Sequence, residues 1–264
     1  MIIAIKGGLG NQLFEYACGR NLELSGKKVI FDISFFYGNR SKIDTARDFK
    51  LDKFNIETKV QFSEKKHLFI NIINKTKRRL GFKFDEYYQG ENYFKDIENN
   101  IRKEFTLKNR LSEISLSWKE KIENAENSVS VHIRRGDYVK DAKTNAHHGT
   151  CDIRYYEQGL EKIVNILGNK NINIFVFSDD ISWAKENIKF PYQTYFVSSP
   201  EIIDYEELIL LSKCKNNIIA NSSFSWWGAW LNQNQEKIVV APKQWTVAKT
   251  SNELDILPKK WIQI

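Results

Sequence analysis

Hydrophobic and polar positions divide this chain into a regular second half and a less regular first half. Near the middle, Val129, Val131 and Ile133 alternate with Ser130 and His132, so 129–133 reads as a strand. Beyond it the pattern predicts a helix at about 153–167, a strand at 172–177 and a helix near 181–187. A strand around 193–197, a helix at 202–213, a strand at 217–220, a helix from about 224 to 231 and a strand at 237–241 follow. Strands and helices alternating at this spacing predict a doubly wound parallel sheet.

The first half opens the same way. An apolar strand at 2–6 runs into Gly7, Gly8, Leu9, Gly10, Asn11 and Gln12, then a helical pattern passes through Leu13, Phe14, Ala17 and Leu24 to a second strand at 28–32. This is a Rossmann-type opening, its glycine-rich loop delivering backbone N–H groups at a helix start. The dinucleotide fingerprint is incomplete, because Leu13 stands where a third glycine belongs. Asp32, at the end of the second strand, keeps an NAD-dependent oxidoreductase open as an alternative. The plainer reading is that the glycines permit a tight turn. From 33 to about 109 the pattern is irregular, with aromatic clusters at Phe35, Phe36 and Tyr37 and at Phe82, Phe84, Tyr87, Tyr88, Tyr93 and Phe94. Many of these belong to a core, and some could line a groove. A charged amphipathic helix at 111–126 places the domain boundary near Asn127. The expected fold is therefore α/β with two Rossmann-like domains, 1–127 and 128–264, facing a cleft.

Composition narrows the class. The chain has 264 residues, 42% hydrophobic and 13% aromatic, which supports two folded domains rather than disorder. Neither a signal-peptide pattern nor an apolar run of about 18 residues is found, so a cytoplasmic protein is expected. Cys18, Cys151 and Cys214 are widely spaced and lack a C-x-x-C pair, which argues against a disulfide frame or a zinc site and suggests buried fillers. The formal charge of +7 is concentrated: Lys59, Lys65, Lys66, Lys75, Lys77, Arg78 and Arg79 face only Glu64 between 59 and 80. With Phe62, Leu68, Phe69, Ile72, Ile73 and Leu80 as a helical stripe, this segment could lie on an anionic membrane. A solvated face is the default reading, and nucleic acid is not expected because no base-recognition motif accompanies the charge.

Candidate chemistry sits at three strand ends, which a parallel sheet opens on one rim. Arg134 and Arg135 precede Gly136 and Asp137, and two adjacent guanidiniums suit a multiply charged anion such as pyrophosphate. Ser178, Asp179 and Asp180 end a second strand; Asn221, Ser222, Ser223, Phe224 and Ser225 follow a third. Serine hydroxyls and first-turn N–H groups bind phosphate with the helix dipole, each contact contributing about 0.3–1 kcal/mol. Paired aspartates invite a metal, but the arginines already supply positive charge for a departing diphosphate, so no metal is expected. A single carboxylate could instead accept the two donors of the guanine edge, and Asp179 is as readily a helix N-cap. Trp226, Trp227 and Trp230 read by default as packing.

At these residues the chain resembles the bacterial α-1,2-fucosyltransferases of glycosyltransferase family eleven and, more distantly, the protein O-fucosyltransferases. The likeness lies in GGLGNQLFEYA at 7–17, VHIRRGDY at 131–138, FSDD at 177–180 and NSSFSWWGAWL at 221–231. It implies a GT-B architecture whose C-terminal half binds GDP-β-L-fucose, whose N-terminal half helps hold the acceptor, and which inverts at fucose C1 without a cofactor or metal. Carried onto this sequence, it implies that Arg134 holds the β-phosphate, that His132 and Asp179 lie near guanine, and that Ser222, Ser223 and Phe224 meet the phosphates. Gly10 and Asn11 would lie beside the sugar, Asn11 as a catalytic residue together with Arg134 and Asp137, while Gln12 and Arg135 would bind substrate. The expected acceptor is the 2-hydroxyl of a galactose residue in an O-antigen, capsule or lactose-type glycan, and a lipid-linked acceptor would bring the basic segment to the inner membrane face.

The catalytic base stays open. Asp137 is the first candidate, although it could instead orient an arginine, and Glu15, His147 and His148 are others. A guanine-nucleotide sensor without transferase activity is the alternative from another class, and the glycine loop with Asn11 argues against it.

Overall fold

In a computed structural model the described residues are 1–37, 47–57, 61–64, 87–136, 149–168, 171–246 and 255–264. They form two compact units, Met1–Asn109 and Arg110–Ile264.

The first unit begins as its pattern predicts, with β1 (Ile2–Ala4), α1 (Leu9–Leu24) and β2 (Ile30–Asp32), and adds β3 (Phe62–Ser63) in a parallel sheet of order β1-β2-β3. The apolar face of α1 is buried through Leu13, Phe14, Tyr16 and Ala17, and the Tyr16 ring stacks on Phe31 at 5.2 Å. Of the aromatics in the irregular stretch, Phe36, Phe54, Phe94 and Phe105 join this core, whereas Phe35 and Tyr37 are exposed. The chain closes on itself through the carboxylate of Glu104, at the end of α2 (Glu98–Glu104), which accepts from the Tyr16 hydroxyl and from Arg20 Nε. Phe62, counted above in a helical stripe, instead pairs with Phe31 in β3. Apart from 61–64, the basic segment lies outside the described residues.

The second unit contains α3 (Glu113–Asn124), β4 (Ser128–Ile133), α4 (Ile153–Leu167), β5 (Asn173–Ser178), α5 (Ile181–Asn187), β6 (Gln193–Phe196), α6 (Asp204–Lys213), β7 (Asn216–Ile218), α7 (Ser223–Leu231), β8 (Val239–Ala241) and β9 (Ile262–Gln263). Its sheet is parallel throughout, in the order β6-β5-β4-β7-β8-β9. Counted from β4 this is the 3-2-1-4-5-6 order of a dinucleotide-binding fold, whose ligand crevice opens outside the carboxyl ends of the first and fourth strands. Here those are β4 and β7. The strand β9 is absent from the expected set, being too short for its periodicity to show.

Two features depart from the simple pattern. The division falls at 109/110, not near 127, because α3 packs with the second unit. Glu206 on α6 accepts from the backbone N–H and hydroxyl of Ser112 and from the hydroxyl of Ser115, while Ile122 is buried in a cluster with Phe175 and Phe177. The alternation in β4 does not mark a wet face either, since all six of its residues are buried. A central parallel strand is covered on both faces, so its polar side needs internal partners. Ser130 accepts from Asn217 Nδ2 at 2.7 Å, and Asn217 Oδ1 accepts from Asn232 Nδ2 at 2.8 Å.

Trp226 and Trp227 are fully buried, and the Trp226 indole N–H donates to the Ile256 carbonyl at 2.8 Å, so the tryptophan run is core as expected. Cys18, Cys151 and Cys214 are free thiols; the first and last are buried and Cys151 is half-buried. Among the described residues no helix is long and apolar enough to cross a membrane.

Candidate functional site

The three predicted strand ends do meet on one rim. Ile133, the last residue of β4, pairs with Ser178 of β5, so Arg134 and Asp179 leave the sheet side by side. On the other flank β7 pairs with β4 and leads to Asn221 and Ser222. His132 joins the two flanks, its ring centroid 5.4 Å from that of Phe224.

Asp179 organises the arginine loop. Its Oδ2 lies 2.9 Å from Arg134 Nη1, and its Oδ1 accepts from the Arg135 backbone N–H at 2.8 Å. One carboxylate thus fixes both a guanidinium and the backbone that carries it. Gly136 is needed for this approach, because a Cβ there would lie 2.3 Å from Asp179 Oδ2. The N-cap that sequence could not separate from this role belongs to Asp180, whose Oδ1 accepts from the Trp183 N–H at 3.3 Å. Arg135 is held differently: its guanidinium lies 3.6 Å over the Trp183 ring, and its Nε is 3.7 Å from Asp180 Oδ2. Arg134 and Arg135 are therefore not equivalent, the first anchored end-on by a carboxylate and the second laid flat on an indole. Among the described residues no group of three or more His, Cys, Asp and Glu side chains is placed to hold a metal ion.

His132 is 3% exposed, and its Nδ1 is buried without a hydrogen-bond partner. Burial pushes its pKa down to about 4, with Arg134 acting in the same direction and Asp179 against it. It is a neutral imidazole at pH 7, able to accept or donate one hydrogen bond at the rim. Ser222 stands at the N-cap of α7 with no side-chain capping bond, so capping does not account for it. Ser225 is structural, donating to the carbonyls of Ala220 and Ser222.

In the first unit Asn11 is half-buried at the start of α1, where its Oδ1 accepts from Gln89 Nε2 at 3.0 Å, and Gly10 is buried beside it. Gln12, expected to bind substrate, is placed inside the first unit. It is fully buried, donates to the carbonyls of Gly7 and Asp48, and accepts from the Lys50 N–H. Both ends of its amide are engaged in bracing the glycine loop. Glu15, a candidate base, is also fully buried and accepts from the Lys6 N–H at 2.7 Å. Asp32 Oδ1 accepts from the Ser34 N–H in the turn after β2. Asp137, His147 and His148 lie outside the described residues.

Sequence reasoning missed Trp183, Ser198 and Glu207. Ser198 Oγ accepts from the Ser178 N–H at 2.9 Å and donates to Glu207 Oε1 at 2.8 Å, while Ser178 Oγ accepts from the Asp180 N–H at 3.0 Å. The aspartate loop is thereby tied to α6. Burial pushes the Glu207 carboxyl from 4.5 up to about 7, opposed by the Ser198 hydrogen bond and reinforced by Asp204 and Asp179. Between those values the folded chain keeps a proton that the unfolded chain has released, so this group lowers stability as pH rises through the window. Glu207→Gln is expected to remove that slope and to gain about 2 kcal/mol on the parent above pH 7 but little at pH 4. Denaturant midpoints at the two pH values test it, and parallel pH profiles for parent and variant would discard the assignment.

The family model for glycosyl transferase family 11 matches residues 1–264. An O-antigen biosynthesis glycosyltransferase, WbnK, from Escherichia coli is 32% identical over 309 aligned positions, covering 100% of both chains. An alpha-1,2-colitosyltransferase from the same species is also 32% identical, covering 100% of this chain and 98% of that protein. Human galactoside alpha-(1,2)-fucosyltransferase 1 is 26% identical over 148 positions, which cover 53% of this chain and 40% of that protein. The chain belongs to glycosyl transferase family 11 and is a glycosyltransferase that uses a nucleotide sugar.

Proposed function

We propose that this enzyme moves L-fucose from GDP-β-L-fucose to the 2-hydroxyl of a galactose residue, with inversion at the sugar C1. The observation that carries the reading is the Arg134–Asp179 pair at the carboxyl end of β4, across the switch point from Ser222 and the start of α7. Guanidinium, serine hydroxyl and helix N–H groups there suit a diphosphate leaving group. The galactose 2-hydroxyl follows from the α-1,2 linkage named for relatives, and an O-antigen glycan from the name of WbnK.

In the reaction the acceptor oxygen forms a bond to C1 as the bond from C1 to the β-phosphate oxygen breaks, and the electron pair leaves with GDP. Negative charge grows on that oxygen. Arg134 is preorganised to meet it, since Asp179 fixes its guanidinium before substrate arrives. His132, neutral and buried with one nitrogen unpaired, serves the nucleotide as a hydrogen-bonding group, not as a charge. The acceptor proton passes to a base, for which Asp137 is the first candidate. Charge neutralisation by arginine makes metal unnecessary for the departure of the diphosphate.

A transfer assay with GDP-fucose and lactose, run with EDTA and with Mn²⁺ in parallel, tests donor, linkage and metal dependence together. An α-1,2-linked trisaccharide formed equally in both is the expected result. Calorimetric titration with GDP separates failures: binding without product reopens the acceptor, and no binding undoes the reading of the arginine loop. A colitosyl donor is the second reading, favoured by the equal identity to the colitosyltransferase. GDP-colitose in the same assay, outcompeting GDP-fucose, would establish it.

A further inference from the structure

Arg135 is ordered without being engaged. Among the described residues its guanidinium makes no hydrogen bond: Nε is buried and unpartnered, and its ion pair with Asp180 is a long one, 3.7 Å from Nε to Oδ2. What fixes the side chain is Trp183, whose ring centroid lies 3.6 Å from the guanidinium carbon. A ring attracts the flat face of a guanidinium, and its N–H groups radiate in the plane, away from that contact. The cation is therefore held while its hydrogen-bonding edge stays available. With 21% of the side chain exposed, that edge is open at the rim.

Trp183 is itself fixed before any ligand arrives. Its half-buried indole packs against the core cluster that contains Ile133, Val176 and Ala184, and its backbone N–H donates to Asp180 Oδ1. The other end of Arg135 is fixed too, its backbone N–H donating to Asp179 Oδ1 at 2.8 Å. Arg134 is ordered by a different device, since Asp179 Oδ2 lies 2.9 Å from its Nη1. A carboxylate that orders a guanidinium competes with an incoming phosphate for the same N–H groups, whereas an indole does not. A buried cationic donor without an acceptor is also costly in a native fold, which is an argument for a ligand anion at this place.

We infer that Trp183 is a positioning residue for the donor. It holds Arg135 with the N–H edge unengaged, so that Arg135 supplies ground-state affinity for the diphosphate while the carboxylate-bound Arg134 meets the charge that grows in the transition state. The inference deepens the proposed use of a GDP-sugar and rests on it. It separates two adjacent arginines by what orders them, and gives a role to a residue of α5 that touches no substrate.

In the full chain, Trp183→Leu is expected to weaken GDP binding about tenfold by calorimetry and to raise the GDP-fucose KM to match, with kcat at saturating donor within about threefold of the parent. Trp183→Phe keeps a ring face and is expected to stay within about threefold of the parent in both affinity and KM. Guanosine, which carries no phosphate, is expected to bind parent and variants alike in ligand-observed NMR. Arg135→Ala is expected to reproduce the loss of GDP affinity, and Trp183→Leu added to it to cost less than about twofold more. Tm accompanies each measurement, and Trp183→Met, which fills the core contact without a ring, takes the place of a leucine variant that does not fold. A merely structural tryptophan would lower guanosine affinity, GDP affinity and kcat together. That result, GDP affinity unchanged in a folded Trp183→Leu or Trp183→Met, or losses that multiply in the double variant overturns the inference. A parent that binds GDP but transfers no fucose overturns the proposed transfer and leaves the binding measurements to decide the role of Trp183; a parent that binds no GDP overturns both.

Discussion

Arg134→Ala is expected to lower turnover by about 100-fold or more, with only a modest loss of GDP affinity. The side chain is 19% exposed and bound to Asp179, so its removal affects the site more than the core. In the proposed transfer, charge on the departing oxygen grows between ground state and transition state. A donor fixed in advance helps the second more than the first. Arg134→Lys should recover little, because a single ammonium cannot hold Asp179 and a phosphate oxygen in the geometry that a planar fork allows. Tm measured beside kcat guards against the trivial explanation of unfolding. Turnover within a few-fold of the parent in a folded Arg134→Ala variant would remove the arginine from the mechanism.

The second large effect comes from a single methyl group. Gly136→Ala would place a Cβ 2.3 Å from Asp179 Oδ2 and 3.0 Å from its Cγ, so the carboxylate has to swing away. Backbone strain plays no part, because Gly136 is not among the glycines of positive φ. Displacing Asp179 releases the Arg134 guanidinium and the Arg135 N–H at once. A loss of about tenfold or more in kcat is expected, by comparison with the hundredfold or greater effects of removing a preorganised donor outright. A double-mutant cycle makes the claim specific: if the methyl acts through Asp179, then Asp179→Ala added to Gly136→Ala costs little more, whereas independent losses multiply. Multiplicative losses would show that the methyl acts elsewhere.

The arginine rim was legible in sequence because it depends on local information. A strand that alternates and then breaks into Arg134, Arg135 and Gly136 announces both the element and its polar end, and strand–helix alternation fixes which ends share a side of the sheet. What sequence could not show was pairing across long separations. Asp179 and Asp180 are neighbours with interchangeable local roles until β4 and β5 are in register; then one faces Arg134 and the other caps α5. Gln12 looks like a loop amide free for ligand until residues 48 and 50 close over it. Glu207 reads as one more charge on an amphipathic helix, and only the carboxyl end of β6 brings Ser198 to it. The domain boundary moved for the same reason, since Glu206 holds the serines of α3 from about ninety residues away.

The order of strands in the second unit bears on how the arginine rim is held. β4 is the earliest strand of its sheet in the chain, and each later one adds outward, β5 then β6 on one flank and β7, β8 and β9 on the other. The arginine loop thus hangs from the strand around which the sheet accretes. The strand that bears Arg134 is paired on both sides, while β6 and β9 are the edges of the sheet. Fraying at β9 leaves the β4–β5 pairing that carries Arg134 and Asp179 in place, whereas fraying at β6 is expected to withdraw Ser198 from the Ser178 N–H and so to reach the aspartate loop.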